Sequence, residues 1–331
     1  MREFRITEDE SGQRFDKYLK KRLENAPGSF LYKMLRKKNI TLNGAKADGS
    51  EKLQVGDQVK LYLSDETFEK FSGSSRATTE FEYLKSLKYP ADAGTFSELP
   101  VIYEDQDILI INKPSGMLSQ KAKATDISAN EYILSYLIGK GELTREQMDT
   151  FRPSVCNRLD RNTSGLLIAG KTLKGLREMS GALKERTVQK YYRCIVKGEV
   201  YESACINGWL LKDTNVNRVK ICHRPPGGGE HPQKIETEYH PVAVGSGYCE
   251  LEVHLITGRS HQIRAHLASI GHPIVGDFKY GDKNTNEYFQ KELQVNSQLL
   301  HAYRIVFANG REAVAPCGAD FERTRKKLGL S

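Results

Sequence analysis

Asp160 has the surroundings in this sequence that are best suited to chemistry. It lies between Arg158 and Arg161, and the segment after Arg161 is Asn-Thr-Ser-Gly, ending at Gly165. Hydroxyl side chains followed by glycine are typical of a tight turn, and positive neighbours favour the ionised form of a carboxylate. Such a carboxylate can act as a nucleophile or as a general base. A surface ion pair at the start of a strand has the same local pattern, and the local residues leave these two interpretations equal.

Three further segments must position this carboxylate or complete a site around it. The apolar run at 166–169 predicts a buried strand directly behind the turn. A second strand, predicted over 188–198, carries Tyr192, whose phenol ring can stack on a planar base. A half-buried strand tyrosine is common, so this assignment depends on the neighbouring motifs. Residues 257–267 are Thr-Gly-Arg-Ser-His-Gln-Ile-Arg-Ala-His-Leu and contain Arg264.

These segments resemble the motifs of RluA-type pseudouridine synthases, enzymes that isomerise uridine within RNA. Arg-Leu-Asp-x-x-Thr-Ser-Gly-Leu at 158–166 is similar to their catalytic motif, and Lys-x-Tyr at 190–192 is similar to their second motif. Residues 257–267 match the third motif nearly residue for residue and are the most specific. Asn-Lys-Pro-x-Gly at 112–116 and Gly-Asp-x-x-Tyr-Gly at 276–281 extend the resemblance.

The resemblance implies a reaction that breaks the bond between ribose and a ring nitrogen of uracil, turns the base and rejoins it through a ring carbon. Asp160 would be the nucleophile at the anomeric carbon or the base at the neighbouring sugar carbon, and the sequence does not choose between them. Arg264 would pair with Asp160, and Tyr192 would lie against the base. Arg158 would enter the stack that the flipped uridine leaves. The alternative is a non-catalytic RNA-binding or ribosome-associated protein on the same fold.

Two positions depart from the pattern of the family. Many relatives have histidine where Asn157 stands and aspartate where Asn162 stands. Neither position holds the acting carboxylate, so these departures concern the fine positioning of the site.

Two other patterns suggest a cofactor or a metal. Residues 165–172 match the Walker A spacing Gly-x-x-x-x-Gly-Lys-Thr, but the interior Leu-Leu-Ile-Ala suits a buried strand better than a loop wrapped around phosphates. His261 and His266 are five residues apart, which separates them by about 140° on a helix, so they would not face one metal ion. We expect no nucleotide, no metal and no other cofactor.

Residues 1–63 are predicted to form a small RNA-binding domain. They contain fourteen Lys or Arg and nine Asp or Glu, and therefore carry +5 of the net charge of +8. Four cations lie in or after the second predicted helix: Lys33, Arg36, Lys37 and Lys38. A solvated helix face is the other interpretation of such a cluster. Ser-x-x-Tyr-Lys-x-Leu-Arg-Lys at 29–37, with Ile-x-x-Asn-Gly at 40–44, resembles the alpha-L RNA-binding domain, which implies that these cations contact RNA phosphates.

The rest of the chain is predicted to be a linker and a catalytic domain. Residues 64–98 lack sustained periodicity and are expected to form a tether with some local order. Residues 99–331 would be the catalytic domain, with a helix predicted over 127–138 in which Ile127 is one of the buried residues. The expected fold class is α+β. The large domain surrounds a mixed, mostly antiparallel sheet flanked by helices and loops, and the N-terminal domain is a small α+β module.

Composition agrees with an ordinary soluble protein of 331 residues with 38% hydrophobic and 28% charged residues. Its six cysteines form no Cys-x-x-Cys pair, which fits a reducing compartment. The first residues lack the apolar core of a signal peptide, and no apolar run approaches the roughly 20 residues of a membrane span. We therefore expect a cytoplasmic monomer without membrane association. Its expected partner is RNA, and the family and the alpha-L module favour large-subunit ribosomal RNA.

Overall fold

The computed structural model describes residues 1–72, 74–90, 98–213, 218–225 and 232–330. The chain divides into two compact units. The first consists of Met1–Lys88, Glu131–Ser154 and Lys171–Lys174. The second consists of Tyr89–Asn130, Val155–Gly170 and Gly175–Ser331.

The N-terminal part of the first unit is a four-stranded antiparallel sheet with two helices. The strands are β1 (Arg2–Arg5), β2 (Ile40–Leu42), β3 (Ala45–Lys46) and β4 (Gln58–Leu61), and their order in the sheet is β1-β4-β2-β3. The helices are α1 (Phe15–Arg22) and α2 (Gly28–Arg36). Phe15, Leu35 and Val59 are at most 1% exposed and belong to one apolar core. The small α+β module predicted for this part of the chain is confirmed.

The segment 64–98 has more regular structure than its sequence pattern predicted. Two helices, α3 (Asp65–Ser72) and α4 (Ser74–Ser86), occupy most of it. Glu80 of α4 accepts two hydrogen bonds from Arg152, at 2.8 and 2.9 Å. A contact with a residue so distant in sequence does not appear in the hydrophobic periodicity of the segment. The sequence pattern alone therefore could not predict this helix. Parts of the segment lie outside the described residues, and its role as a linker stays a prediction.

The helix predicted over 127–138 is observed as α5 (Ala129–Gly139). Ile127 lies before its first residue and is 40% exposed, so the prediction that Ile127 is buried was wrong. The helix begins two residues later than predicted, and Ile127 is therefore not part of its apolar face. A short helix, α6 (Arg145–Met148), follows, and Thr144 caps it through a hydrogen bond from the Gln147 amide.

The second unit is organised around one large sheet. In chain order its strands are β5 (Val101–Glu104), β6 (Ile108–Lys113), β7 (Ser154–Val155), β8 (Ser164–Gly170), β9 (Gln189–Lys197), β10 (Ala204–Asp213), β11 (Arg218–Cys222), β12 (Gln233–Gly245), β13 (Tyr248–His254), β14 (Leu300–Val306) and β15 (Glu312–Val314). The main order is β11-β10-β12-β13-β9-β14-β8-β6-β5, and β15 pairs with β14 while β7 pairs with β8. Along this order only β8 and β14 are parallel. The mixed, mostly antiparallel sheet is confirmed.

Four helices accompany this sheet: α7 (Leu173–Glu185), α8 (Gln262–Ser269), α9 (Lys283–Leu293) and α10 (Ala319–Lys327). All the residues of α8 from Gln262 to Leu267 are buried, so this helix is packed on every side. Among the described residues, no helix combines the length and the apolar character needed to cross a lipid bilayer.

The Walker-like segment 165–172 is the strand β8 and the turn into α7. Its interior, residues 166–169, is 0% exposed, which confirms the prediction of a buried strand. Gly170 lies so close to α7 that a Cβ atom on it would be 2.5 Å from the backbone of Leu176. The glycine spacing at this point serves the packing of a strand against a helix.

Candidate active site

Asp160 lies in the loop between β7 and β8, and the residues on both sides of it are tied to neighbouring backbone. Ser119 Oγ accepts a hydrogen bond from the Leu159 amide at 3.0 Å and donates one to the Leu159 carbonyl at 2.9 Å. Lys113 Nζ donates to the Arg161 carbonyl at 3.1 Å. The loop is therefore held in one position, while the Asp160 side chain keeps 24% of its surface exposed.

The end of this loop depends on the parallel pairing of β8 with β14. Ser164 pairs with His301 and Gly165 pairs with Ala302. Gly165 has φ of +113°, and a Cβ atom on it would lie 2.3 Å from the Ala302 carbonyl oxygen. Both the backbone conformation and the close approach require glycine. The Thr-Ser-Gly sequence thus fixes the point at which the loop enters the sheet.

The two asparagines that depart from the family pattern have structural contacts. Asn157 Oδ1 accepts a hydrogen bond from the Ile168 amide at 2.8 Å, within β8. The Asn162 carbonyl accepts one from Ser115 Oγ at 3.0 Å. Neither contact involves the carboxylate of Asp160.

The structure brings Asp160 and Arg264 together, although they are 104 residues apart in sequence. Arg264 Nη1 donates to Asp160 Oδ2 at 2.8 Å. Arg264 lies in the buried helix α8 and is 7% exposed. Oδ1, the other carboxylate oxygen of Asp160, has no hydrogen bond from the described residues. The site thus contains an anchored carboxylate with one oxygen open to a substrate.

Arg264 has a second carboxylate partner, Asp277. Its Nε and Nη2 donate to the two oxygens of Asp277 at 2.7 and 2.9 Å. Asp277 is 0% exposed and also accepts hydrogen bonds from the amides of Lys279 and Tyr280. Burial alone would raise the pKa of Asp277, but the Arg264 guanidinium and these amides together hold it below its ordinary value. Asp277 therefore stays ionised and orients Arg264.

Tyr192 lies in β9, between Val253 of β13 and Ala302 of β14. It is 6% exposed. Burial, reinforced by the nearby Asp160 charge, raises the pKa of its phenol far above the usual value. Tyr192 is thus a neutral phenol in the neighbourhood of Asp160.

His261 is a neighbour of the Asp160 carboxylate. The sequence analysis considered this histidine only as a metal ligand and rejected that interpretation. Its Nε2 is 3.9 Å from Asp160 Oδ2, and its Nδ1 is 2.8 Å from the Tyr280 hydroxyl. The Tyr280 oxygen accepts a hydrogen bond from the Val219 amide, so its own proton is free to be donated to Nδ1. Burial lowers the pKa of His261, against the effect of Asp160. A neutral imidazole with its proton on Nε2, facing Asp160, satisfies these contacts.

Lys113 is a buried lysine next to the loop. It is 0% exposed, and Nζ donates to the carbonyls of Pro114 at 2.9 Å, Met117 at 2.8 Å and Arg161 at 3.1 Å. Burial lowers the pKa of Lys113 to about 7, while the Asp160 charge acts in the opposite direction. Three acceptors use all three protons of an ammonium group. The charged form of Lys113 is therefore the one that holds the loop.

The remaining predicted residues are surface cations. Arg158 is exposed in the second unit. In the first unit the exposed cations are Lys33, Arg36, Lys37 and Lys38. The first two lie in the last turn of α2 and the others follow it. None of the five forms an ion pair with another described residue, so all remain available to phosphates.

The described residues contain no group of three or more His, Cys, Asp or Glu side chains arranged to hold a metal ion. His266 lies in the buried part of α8, and its Nδ1 is 3.0 Å from Thr237 Oγ1. His261 precedes α8 with φ of +56°. The two histidines therefore have separate hydrogen-bond partners.

Asp277, Lys113 and His261 are the site residues to which sequence reasoning gave no role near Asp160. Asp277 and Lys113 lie in the motifs Gly-Asp-x-x-Tyr-Gly and Asn-Lys-Pro-x-Gly, so a signal was present. A motif identifies residues that recur together in a family. Their hydrogen-bond partners depend on which distant segments are in contact in the folded protein.

Comparisons with known proteins identify relatives of this chain. A sequence profile described as RNA pseudouridylate synthase matches residues 107–269. A Vibrio vulnificus (strain CMCP6) protein named ribosomal large subunit pseudouridine synthase C is 30% identical over 98% of this chain and 96% of its own length. A protein of the same name from Pasteurella multocida (strain Pm70) is 31% identical over 91% of this chain and 84% of its own length.

A solved structure, human RNA Pseudouridylate Synthase Domain Containing 4, has a TM-score of 0.56 and 17% sequence identity. The match covers 78% of this chain and 98% of the human one. At this identity the likeness concerns the fold alone, and it agrees with the α+β architecture described above. The family follows from the sequence relatives, which are 30% and 31% identical over 98% and 91% of this chain: this chain belongs to the RNA pseudouridylate synthase family.

Proposed function

We propose that this chain converts specific uridines of large-subunit ribosomal RNA into pseudouridine. Membership of the family makes it an RNA-modifying isomerase. The choice of large-subunit ribosomal RNA rests on the names of its relatives. The observation that carries the proposal is the Asp160 carboxylate, which Arg264 anchors by one oxygen and which keeps the other oxygen open.

The reaction rearranges bonds within one nucleotide. The bond between the anomeric carbon and ring nitrogen N1 breaks, and a bond between the anomeric carbon and ring carbon C5 forms. C5 loses its proton, and N1 gains one, so the atoms balance without an added reagent. Asp160 attacks the anomeric carbon or removes a proton from the neighbouring sugar carbon. Both routes require a correctly aimed carboxylate, and holding Asp160 in that position is the role of Arg264.

Tyr192 and Arg158 would act on the flipped nucleotide. Tyr192 is proposed to lie against the uracil ring as a neutral phenol, because the raised pKa keeps its proton in place. Extruding the uridine costs a few kcal/mol in a duplex and less in a loop. Arg158, being exposed, is proposed to enter the vacated position in the stack.

The proposed domain organisation separates binding from chemistry. Residues 1–63 would bind RNA through phosphate contacts, 64–98 would link the parts, and 99–331 would carry the reaction. The phosphate contacts are assigned to Lys33, Arg36, Lys37 and Lys38. Tethering of this kind raises the effective RNA concentration at a catalytic site. We propose that the protein works as a cytoplasmic monomer and needs no nucleotide cofactor.

The test uses unmodified transcripts of bacterial large-subunit ribosomal RNA, with small-subunit RNA and tRNA in parallel. Pseudouridines are mapped by carbodiimide treatment and reverse-transcription stops. The wild-type protein should produce new stops at discrete large-subunit uridines. Asp160→Asn should produce none while its RNA affinity stays within a few fold.

Asp65→Asn, at a carboxylate with 80% of its side chain exposed, is the matched control and should behave as wild type. Turnover by Asp160→Asn would remove Asp160 from the mechanism. A wild-type protein that binds the RNA but leaves every uridine unchanged would instead support the non-catalytic alternative. Stops confined to the other RNAs would overturn the choice of substrate.

A further inference from the structure

A pocket of about 370 Å³ opens beside Arg264. The residues that line it are Asn162, Arg218, Arg264, Phe278, Lys279 and Gln298. Asp160 and Tyr192 are not among the described residues of its lining. It therefore shares Arg264 with the catalytic carboxylate but offers a separate surface. Its volume is in the range of small-molecule and nucleotide sites.

The pocket is positively charged. Arg218, Lys279 and Arg264 all line it. Burial and the charges of Arg264 and Arg218 lower the pKa of Lys279, while the charges of Asp160 and Asp277 act in the opposite direction. Asp160 and Asp277 are both hydrogen-bonded to Arg264. The cations would attract an anion into the pocket, and the bound anion would reduce the repulsion between them.

Phe278 gives the pocket an exposed aromatic surface. Its relative exposure is 56%. The backbone around it is rigid, since Asp277 Oδ1 accepts hydrogen bonds from the amides of Lys279 and Tyr280 at 2.9 and 3.1 Å. The Gly281 amide closes the turn onto the Asp277 carbonyl at 2.7 Å. The ring is thus presented to solvent by a turn that Arg264 also anchors.

Arg218 is fixed to the same turn from the edge of the large sheet. It is the first residue of β11, and its guanidinium donates to the Lys279 carbonyl. The neighbouring Val219 amide donates to the Tyr280 hydroxyl at 2.9 Å. A guanidinium has five N–H groups, so donors remain for a further ligand. The Arg218 guanidinium is therefore held against the turn that carries Phe278 and Lys279.

We propose that this pocket binds a nucleotide adjacent to the target uridine, with its phosphate at Arg218 and Lys279 and its base stacked on Phe278. The proposal rests on the RNA-modifying function proposed above. Cations that follow the backbone, combined with aromatic rings under the bases, are how proteins bind unpaired RNA. Nucleotides beside a flipped uridine are partly unstacked and expose a base face. The contact holds the strand while Asp160 performs the chemistry.

The test compares Phe278→Ala and Phe278→Trp with the wild-type protein on a short synthetic RNA that spans a mapped uridine. Tyr201→Ala is the control, because Tyr201 is 72% exposed in the same unit and does not line the pocket. Phe278→Ala should raise Kd and KM by roughly 5- to 100-fold, the value of one stacked base. Its single-turnover rate at saturating RNA should stay near wild type, and Phe278→Trp should restore binding.

A second set of RNAs lacks one base at a time around the target. At one position the missing base should weaken binding by the wild-type protein but not by Phe278→Ala, because that variant has no ring on which the base could stack. Arg218→Gln should make the salt dependence of binding less steep by about 0.7 in log–log slope. The inference would be overturned if Phe278→Ala bound RNA with wild-type affinity. It would also be overturned if, at every RNA position, the missing base weakened binding equally in the wild-type protein and in Phe278→Ala. Either result would leave the proposed function intact. Absence of turnover by the wild-type protein would overturn both.

Discussion

Arg264 donates to both oxygens of Asp277, at 2.7 and 2.9 Å, and this contact fixes the orientation in which its remaining nitrogen meets Asp160. Asp277 is completely buried, so the pairing is protected from solvent. A planar guanidinium held along one edge has little freedom to rotate. The guanidinium that bonds Asp160 is therefore oriented by a second, buried carboxylate.

Replacing Asp277 by asparagine should impair both stability and catalysis. The change removes one of the two carboxylate partners of the buried Arg264, and breaking a buried ion pair costs about 3–5 kcal/mol of the free energy of unfolding. We expect kcat to fall because Arg264 no longer holds Asp160. Urea unfolding and single-turnover rates measure the two effects, with the exposed Glu287→Gln as control. Normal kcat in a destabilised Asp277→Asn would reduce Asp277 to a purely structural residue.

Arg264→Lys should be strongly impaired in turnover although the charge is kept. An ammonium is a point cation and cannot bond Asp160 while gripping both oxygens of Asp277. We expect kcat to fall by about 100-fold or more, which is roughly 3 kcal/mol of transition-state stabilisation. Arg177→Lys, at an exposed position of α7, should retain wild-type kcat. Equal rates in the two variants would show that the fork geometry is unimportant.

Lys113→Met should loosen the loop that carries Asp160. The substitution removes three hydrogen bonds to buried or partly buried carbonyls, at Pro114, Met117 and Arg161. Each unsatisfied group costs about 1–3 kcal/mol, so the free energy of unfolding should fall by several kcal/mol. Turnover should fall as well, because the Arg161 carbonyl loses its anchor. Lys184→Met, at an exposed site, is the control, and unchanged activity in Lys113→Met would contradict this role.

His301 should make the protein less stable in mild acid. Burial lowers its pKa from 6.5 to about 4, against the effect of the Ala315 carbonyl. Between these values the unfolded chain binds more protons than the folded one, so stability rises with pH there and is lost as pH falls. The loss over this window is about 3 kcal/mol. His266, whose pKa burial also lowers to about 4, adds a loss in the same direction.

Denaturant unfolding between pH 4 and 7 tests this prediction. In His301→Gln the proton uptake on unfolding should decrease by about one at the middle of the window. The absolute stability of that variant will also fall, since the hydrogen bond with Ser164 changes. The informative quantity is therefore the slope of the free energy of unfolding against pH. If His301→Gln has the same slope as the wild-type protein, the acid sensitivity comes from other groups.

Neutralising Arg36, Lys37 and Lys38 with glutamine should weaken RNA binding and its salt dependence together. Each phosphate contact contributes about 0.7 to the log–log slope for single-stranded RNA, so the slope should become less steep by about 2. Changing Lys326 and Lys327 of α10 to glutamine should leave the slope as it is. A weaker Kd with the original slope would show that these N-terminal cations act without touching phosphates.

The sequence by itself determined the motifs and the strand behind the Asp160 loop. The run at 166–169 is recognisable as a buried strand because continuous apolar character is a local property, and β8 matches it. The pairing of Asp160 with Arg264 could be expected because the motifs that contain them resemble those of one enzyme family. The large mixed sheet followed from the same resemblance.

Only the tertiary structure decided how Arg264 divides its hydrogen bonds between Asp160 and Asp277. That arrangement requires the loop before β8, the helix α8 and the turn after Gly276 to meet, and no spacing along the chain encodes such a meeting. The helices in 64–98 were missed for the same reason, since the contact of Glu80 with Arg152 joins distant segments. The local sequence indicates which interactions a side chain can make. Packing between segments that are distant in sequence determines which residue becomes its partner.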